Sequence, residues 1–217
     1  MNLRTRSAKA REGLARGGGD GYTGVMTASK HPQPDWLTGQ LLIAMPAMRD
    51  PRFAQSVIFI CAHNPDGAMG VLLNRPVKAP GFAELLQQLG VEPNPPKREL
   101  PVGNGGPVDD QRGFVLHSND WSAEGSLEID GAHVLSANLD ILRAVAEGGG
   151  PERACLVLGY AGWGAGQLDE EMMQNSWLNV PADEAIIFDT NYNTKWQRAL
   201  AKLHIDPAQL STGAGHA

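Results

Sequence analysis

His63 and His117 each follow an apolar run, where an imidazole is well placed to move protons near neutral pH. Hydrolytic chemistry would also need a nucleophile beside one of them. Ser56, Cys61 and Ser118 lie close by in sequence, yet no G-x-S-x-G elbow frames any serine. No H-E-x-x-H pair is present to hold a catalytic zinc. Asp109-Asp110 reads as a solvated turn, because no further carboxylates stand at the spacing of a cation loop. A hydrolase using His63 or His117 with an unidentified nucleophile is therefore the alternative, and a binding protein without enzymatic chemistry is the leading reading. Neither a metal nor a cofactor is expected.

Backbone donors are the second source of chemistry. Asn104-Gly105-Gly106-Pro107-Val108 could expose successive N–H groups as an anion-binding concavity, or could be a tight turn that needs positive φ. A longer segment, Gly159-Tyr160-Ala161-Gly162-Trp163-Gly164-Ala165-Gly166, joins an apolar strand to a helix, the arrangement that builds phosphate sites. Its Gly162-x-Gly164-x-Gly166 spacing matches neither the dinucleotide fingerprint nor a P-loop, and no lysine follows. Asp169, Glu170 and Glu171 already complement the helix dipole and would repel a phosphate. What remains is close packing around Trp163, or one wall of a cleft for a neutral or polar ligand. Arg75, in Asn74-Arg75-Pro76, could pair with an anionic ligand or with one of the many surface acids. The candidate binding residues are Asn74, Arg75, Asn104, Gly105, Gly106, His117, Gly162, Trp163 and Gly166.

The elements that must position these residues alternate along the chain. Leu41–Met45, Val57–Ala62 and Met69–Leu73 read as buried strands, the last two forming a hairpin about His63–Gly67. Phe82–Leu89 has helical spacing and Gly90 as its stop. Leu100–Val102 and Phe114–Leu116 are strands on either side of the first glycine segment. Leu127–Ile129 and His133–Leu135 suggest a hairpin about Asp130-Gly131. Asn138 can cap a helix running to Glu147. Ala154–Leu158 is apolar throughout, as a central strand would be, and a helix starts after Gly166. Ala185–Phe188 reads as another strand, Trp196, Leu200 and Leu203 as the face of a last long helix, and Asp206-Pro207 as the start of a terminal turn. Hairpins mixed with strand–helix pairs predict an α+β fold with a mixed sheet.

Bulk properties exclude several classes. The chain has 217 residues, 42% of them hydrophobic, which is ordinary for a globular protein. No apolar run approaches the roughly 18 residues of a membrane span. Residues 1–30 carry six basic and two acidic residues, a balance of +4, whereas the rest carries twelve basic and 22 acidic ones, a balance of −10. An acidic body disfavours phosphate-backbone binding, and no helix-turn-helix pattern with a basic reader helix is present, so direct contact with nucleic acid is not expected. Cys61 and Cys155 sit in apolar runs with no C-x-x-C spacing and read as buried free thiols. Residues 1–35, rich in Arg and Gly and poor in apolar periodicity, read as a disordered or dispensable tail. The scarcity of acids there is also compatible with a transit peptide, and Met26 with a later start. Residues 36–217 would then form one domain.

Taken in order, Leu42-Ile43-Ala44-Met45-Pro46, Asp50-Pro51-Arg52-Phe53, Gly67-Ala68-Met69-Gly70-Val71, the two glycine segments and Asn175-Ser176-Trp177-Leu178 resemble the bacterial YqgE/AlgH family. The resemblance runs from about Leu37 to the C-terminus. It implies a bifurcated, barrel-like sheet with flanking helices and a cytoplasmic protein. Members are in part described as transcriptional regulators on genetic grounds, without a DNA-binding motif. The resemblance assigns no reaction; the paired donor-rich turns, with no complete catalytic constellation, point to recognition of a partner protein or a small ligand through a cleft built by the two glycine segments. Some members carry a cysteine in the strand after the second tryptophan motif; this chain has Val180 there, which argues against a thiol role at that position.

Overall fold

In the computed structural model, residues 37–205 are described. The tail read over 1–35 and the turn at Asp206-Pro207 lie outside them. Strand β1 (Gln40–Ala44) pairs antiparallel with β2 (Val57–Asn64), which turns back into β3 (Gly67–Leu72). The expected hairpin is present, with Asn64 Oδ1 accepting the Asp66 N–H at 2.9 Å to shape the turn. Alternate residues of β1 enter different cores. Leu41 and Ile43 pack with Phe59, Val71, Ile187, Trp196 and Leu200, while Leu42 and Ala44 pack with Ile58, Ile60, Trp163 and Trp177. Both faces of this strand are covered, which is why it reads as unbroken apolar sequence.

Helix α1 (Phe82–Leu89) ends at Gly90 in the left-handed conformation, as expected. Next come β4 (Val102–Asn104), β5 (Val108–Ser118), and the short antiparallel pair β6 (Leu127–Glu128) and β7 (His133–Ser136). Helix α2 (Leu139–Ala146) starts at Asn138, whose side chain accepts the Ile141 N–H at 3.3 Å. Helices α1 and α2 bury Phe82, Leu86, Ile141 and Val145 against Val115 and Leu156. Strand β8 (Ala154–Gly164), α3 (Gln167–Met173) and β9 (Trp177–Pro181) follow. The chain then forms α4 (Glu184–Ile187), a single 3-10 turn (Tyr192–Thr194) and α5 (Lys195–Ala201).

The strand order is β6-β7-β5-β8-β3-β2-β1-β9, with β4 also beside β8. Pairing is antiparallel except for β4 with β8, so the sheet is mixed. It forks at β8. Residues 154–158 pair with β5 on one edge and 156–158 with β4 on the other, whereas 161–164 pair with β3. The sheet curls into a half-barrel with flanking helices, the α+β architecture expected from the sequence.

Five local expectations are corrected. Ala185–Phe188 is not a strand but the body and end of α4, because Asp183 Oδ1 accepts the Ala185 N–H at 2.9 Å and caps a helix there. The last helix is short, and Leu203 packs on the core from beyond its end. Leu100 precedes β4, which begins at Val102. The second glycine segment is mostly strand, since β8 runs through to Gly164 before turning at Ala165-Gly166. Asp109 and Asp110 likewise lie inside β5, in an irregular stretch between Val108 and Gly113 where Asp109 has φ +52°.

An aromatic cleft as the candidate functional site

The two glycine segments meet backbone to backbone at the fork in the sheet. Gly105 donates to the Leu158 carbonyl at 2.7 Å and accepts from the Leu72 N–H at 2.9 Å. Gly106, at φ +151°, donates to Asn104 Oδ1 at 2.9 Å. A Cβ on Gly105 would stand 2.2 Å from the Gly159 oxygen, and one on Gly106 would stand 2.1 Å from the Tyr160 carbonyl carbon. These glycines permit close approach of two strands. Both N–H groups are committed within the fold, so the segment does not open as an anion concavity. Its effect is positional: it lays Pro107 and Val108 alongside the far half of β8.

There a cleft of about 360 Å³ opens, within the range of small-molecule sites. Pro107, Val108, Gly162 and Trp163 line it together with Met48, Phe53, Gln167, Glu171 and Trp177. Each side chain has a clear placement. Trp163 sits on β8 opposite Ala68, Trp177 opens β9 opposite Ala44, and α3 connects the two strands. Phe53 comes from the connection between β1 and β2. The rings touch edge to face, with Phe53 and Trp163 at centroid distances of 5.8 and 6.0 Å from Trp177. A shallower depression containing Tyr160 and Met69 shares Val108, Gly162 and Trp163 with this cleft.

Glu171 is the polar centre. Its Oε2 accepts both indole N–H groups, from Trp163 at 2.9 Å and Trp177 at 2.8 Å. Gln167 lies one helical turn earlier on the same face of α3 and donates to Oε1 at 2.8 Å. Gln167 is itself held by the Gly164 N–H, at 3.0 Å from its Oε1. At the rim, Arg52 forks onto Asp50 with a shortest contact of 2.6 Å, and this pairing holds the Asp50 carboxyl below its ordinary range. Gly166 is the left-handed residue that starts α3.

The remaining sequence candidates lie elsewhere. Asn74 Oδ1 accepts from Val57 N at 3.0 Å and its amide donates to Gln55 O at 2.8 Å, while Arg75 donates to Ala54 O. They clamp the start of β2. Among the described residues no carboxylate pairs with Arg75, so the surface acid expected as one possible partner is not beside it. His63 is buried, accepts the Leu37 N–H on Nδ1 at 3.2 Å and places Nε2 3.6 Å from Asp169. His117 is also buried: Nδ1 donates to Ser118 O at 2.8 Å and Nε2 accepts the Ser136 hydroxyl at 2.8 Å. Burial pulls the His117 pKa below its usual value, consistent with this neutral tautomer.

No local pattern singles out Phe53, Trp177 or Glu171: Glu171 meets partners eight residues before and six after it only once β8, α3 and β9 have folded. Lys195 gave no local signal at all. It is only 1% exposed, donates from Nζ to Ile187 O at 2.9 Å, and has its pKa pulled down by burial to about 8. It shares a small cavity with Arg75, Tyr192 and Cys155, whose thiol burial pushes up to about 11. Both cysteines are free. Among the described residues no group of three or more His, Cys, Asp or Glu is placed to hold a metal ion, and no helix is long and apolar enough to cross a membrane.

The AlgH-like family model matches residues 41–208, which include every segment lining the cleft. A UPF0301 protein of Methylocella silvestris is 54% identical over 190 residues, covering 84% of this chain and 92% of its own length. A second UPF0301 protein, from Rhodospirillum rubrum, is 50% identical, covering 84% and 95%. Among solved structures, the AlgH protein from Pseudomonas aeruginosa superposes with a TM-score of 0.70 at 45% identity, covering 87% of this chain and all of that one. A Corynebacterium diphtheriae protein at 20% identity and TM-score 0.61, covering 81% and 91%, shares the fold. Sequence and architecture agree, and the chain belongs to the AlgH-like family.

Proposed function

We propose that this is a cytoplasmic binding or regulatory protein that captures a small ligand, or a side chain of a partner protein, in the aromatic cleft, without direct reading of DNA. One observation carries this reading. Asp50–Phe53, Pro107-Val108, Gly162-Trp163 and Ser176-Trp177 are far apart in sequence and converge on one cleft. The acidic balance of the body supports the exclusion of nucleic acid. The test is native affinity purification with metabolite and protein identification, run in parallel on wild type and Val108→Trp. Val108 is 38% exposed, so a larger side chain there fills the cleft from its rim with little effect on the core. At least one companion should fall by about tenfold, a loss of roughly 1.4 kcal/mol, with unchanged melting. Identical recovery with both proteins would remove the cleft from the function.

A second, hydrolytic reading is favoured by one contact, the 2.8 Å hydroxyl–imidazole bond between Ser136 and His117. Ser136 sits at the end of β7 beside a groove of about 340 Å³ between α1 and α2. Against it, both side chains are fully buried, Ser136 also bonds the Ser126 hydroxyl at 2.7 Å, and a backbone carbonyl orients the imidazole where hydrolases commonly use a carboxylate. A fluorophosphonate probe should leave Ser136 unlabelled. Covalent labelling that disappears in Ser136→Ala would put the hydrolytic reading first.

A further inference from the structure

We infer that the ligand of the cleft presents a cationic nitrogen, an amine or a quaternary ammonium, to Glu171 beside Trp163, Trp177 and Phe53. The inference rests on the cleft being the binding site. Two buried indole N–H groups need an acceptor, and Glu171 Oε2 satisfies both. An uncharged amide oxygen would have done the same. What that need leaves over is the negative charge. Among the described residues no Lys, Arg or His pairs with Glu171, and Arg52, the cation at the cleft, is already taken by Asp50 at 2.6 Å.

Three donors fix the carboxylate in place, so a ligand cation would meet an oriented group without ordering a mobile side chain. Both indoles turn their N–H edges to that carboxylate, so Trp163, Trp177 and Phe53 line the cleft beside it as apolar walls for the methyl or methylene groups of an ammonium ligand. An anionic ligand would face Glu171, and among the described residues lining the cleft Arg52 is the positive group and is already paired with Asp50. The uncompensated carboxylate and the pairing of Arg52 with Asp50 together select the sign of the ligand's charge.

The test uses choline and its uncharged isostere 3,3-dimethyl-1-butanol on wild type and on Glu171→Gln, read from the two indole N–H resonances of Trp163 and Trp177. Fragments of this size should bind in the range of about 1–50 mM. Choline is expected to shift both resonances and to bind at least about tenfold more tightly than the isostere. Glu171→Gln keeps an acceptor for the indoles, and should retain the melt while losing that preference. A lysine derivative with both backbone termini blocked is the second cationic arm. Tighter binding than choline would assign the nitrogen to a partner's lysine, and weaker binding would assign it to a free small amine.

Equal binding of choline and the isostere would overturn the cationic inference while leaving the cleft as a binding site. Preferential binding of acetate would do the same. No shift with any probe up to about 50 mM would also overturn it. In that case the Val108→Trp comparison alone decides whether the cleft reading survives.

Discussion

Gly106→Ala is expected to destabilise the fold by about 4 kcal/mol or more, at the extreme end of single-substitution effects. The added Cβ would lie 2.1 Å from the Tyr160 carbonyl carbon, 2.2 Å from its oxygen and 2.4 Å from the Ala161 nitrogen. All three atoms belong to the backbone of β8, which is held by β5 on one side and β3 on the other, so none can swing away as a side-chain tip could. The residue also has φ +151°, where an L-residue is strained even without a neighbour. Relief requires the segment to lift off β8, and that breaks the Gly105 bonds to Leu158 and Leu72. Each buried polar group left unpaired adds about 1–3 kcal/mol. Gly162→Ala is the control. Its Cβ would meet a movable Tyr160 ring carbon at 3.2 Å, so the cost should stay within about 1 kcal/mol. Chemical denaturation of both variants measures the contrast, and equal losses would show that close strand approach is not what the Gly106 position requires.

That contrast also shows where the sequence was readable. Continuous apolar runs located β1, β2 and the first half of β8 because both faces of those strands are covered. Asn138 and Gly90 located helix ends through backbone chemistry confined to a few residues. Glycine was ambiguous. In Gly159–Gly164 it suggested a loop, whereas it admits a neighbouring backbone into a strand that continues. Ala185–Phe188 misled because four apolar residues fit either period, and the deciding signal was the cap at Asp183.

For the site, the second glycine motif contains Gly162 and Trp163, which line the cleft, but it does not single out Glu171, whose neighbours Asp169 and Glu170 look equivalent in sequence. Only the fold distinguishes them by directing two indole N–H groups to one carboxylate. The 19-residue separation of His117 from Ser136 likewise spans the β6–β7 hairpin and carries no local pattern.

Lys195 is the extreme case, and it makes the second large prediction. A lysine at the start of a helix ordinarily faces water, but here the ammonium lies under the C-terminal elements with one carbonyl partner. Burial lowers its pKa from 10.5 to about 8, a difference of about 3 kcal/mol between its protonation states at roughly 1.4 kcal/mol per pH unit. Between those two values the unfolded chain holds a proton that the folded protein has released. Stability attributable to this residue must therefore rise with pH across that window, and be lowest below about pH 8, where both states are protonated. Lys195→Met removes the titration while keeping the length and apolar contacts of the stem. Wild type should gain on the order of 2 kcal/mol relative to the variant between pH 7 and pH 10, read as the difference of two urea-unfolding series. Taking the difference cancels the other tyrosines and lysines, which titrate in both proteins. Parallel pH profiles would mean that the folded protein keeps the ammonium charged to high pH. The cavity it shares with Arg75 would then have to supply a compensating negative charge.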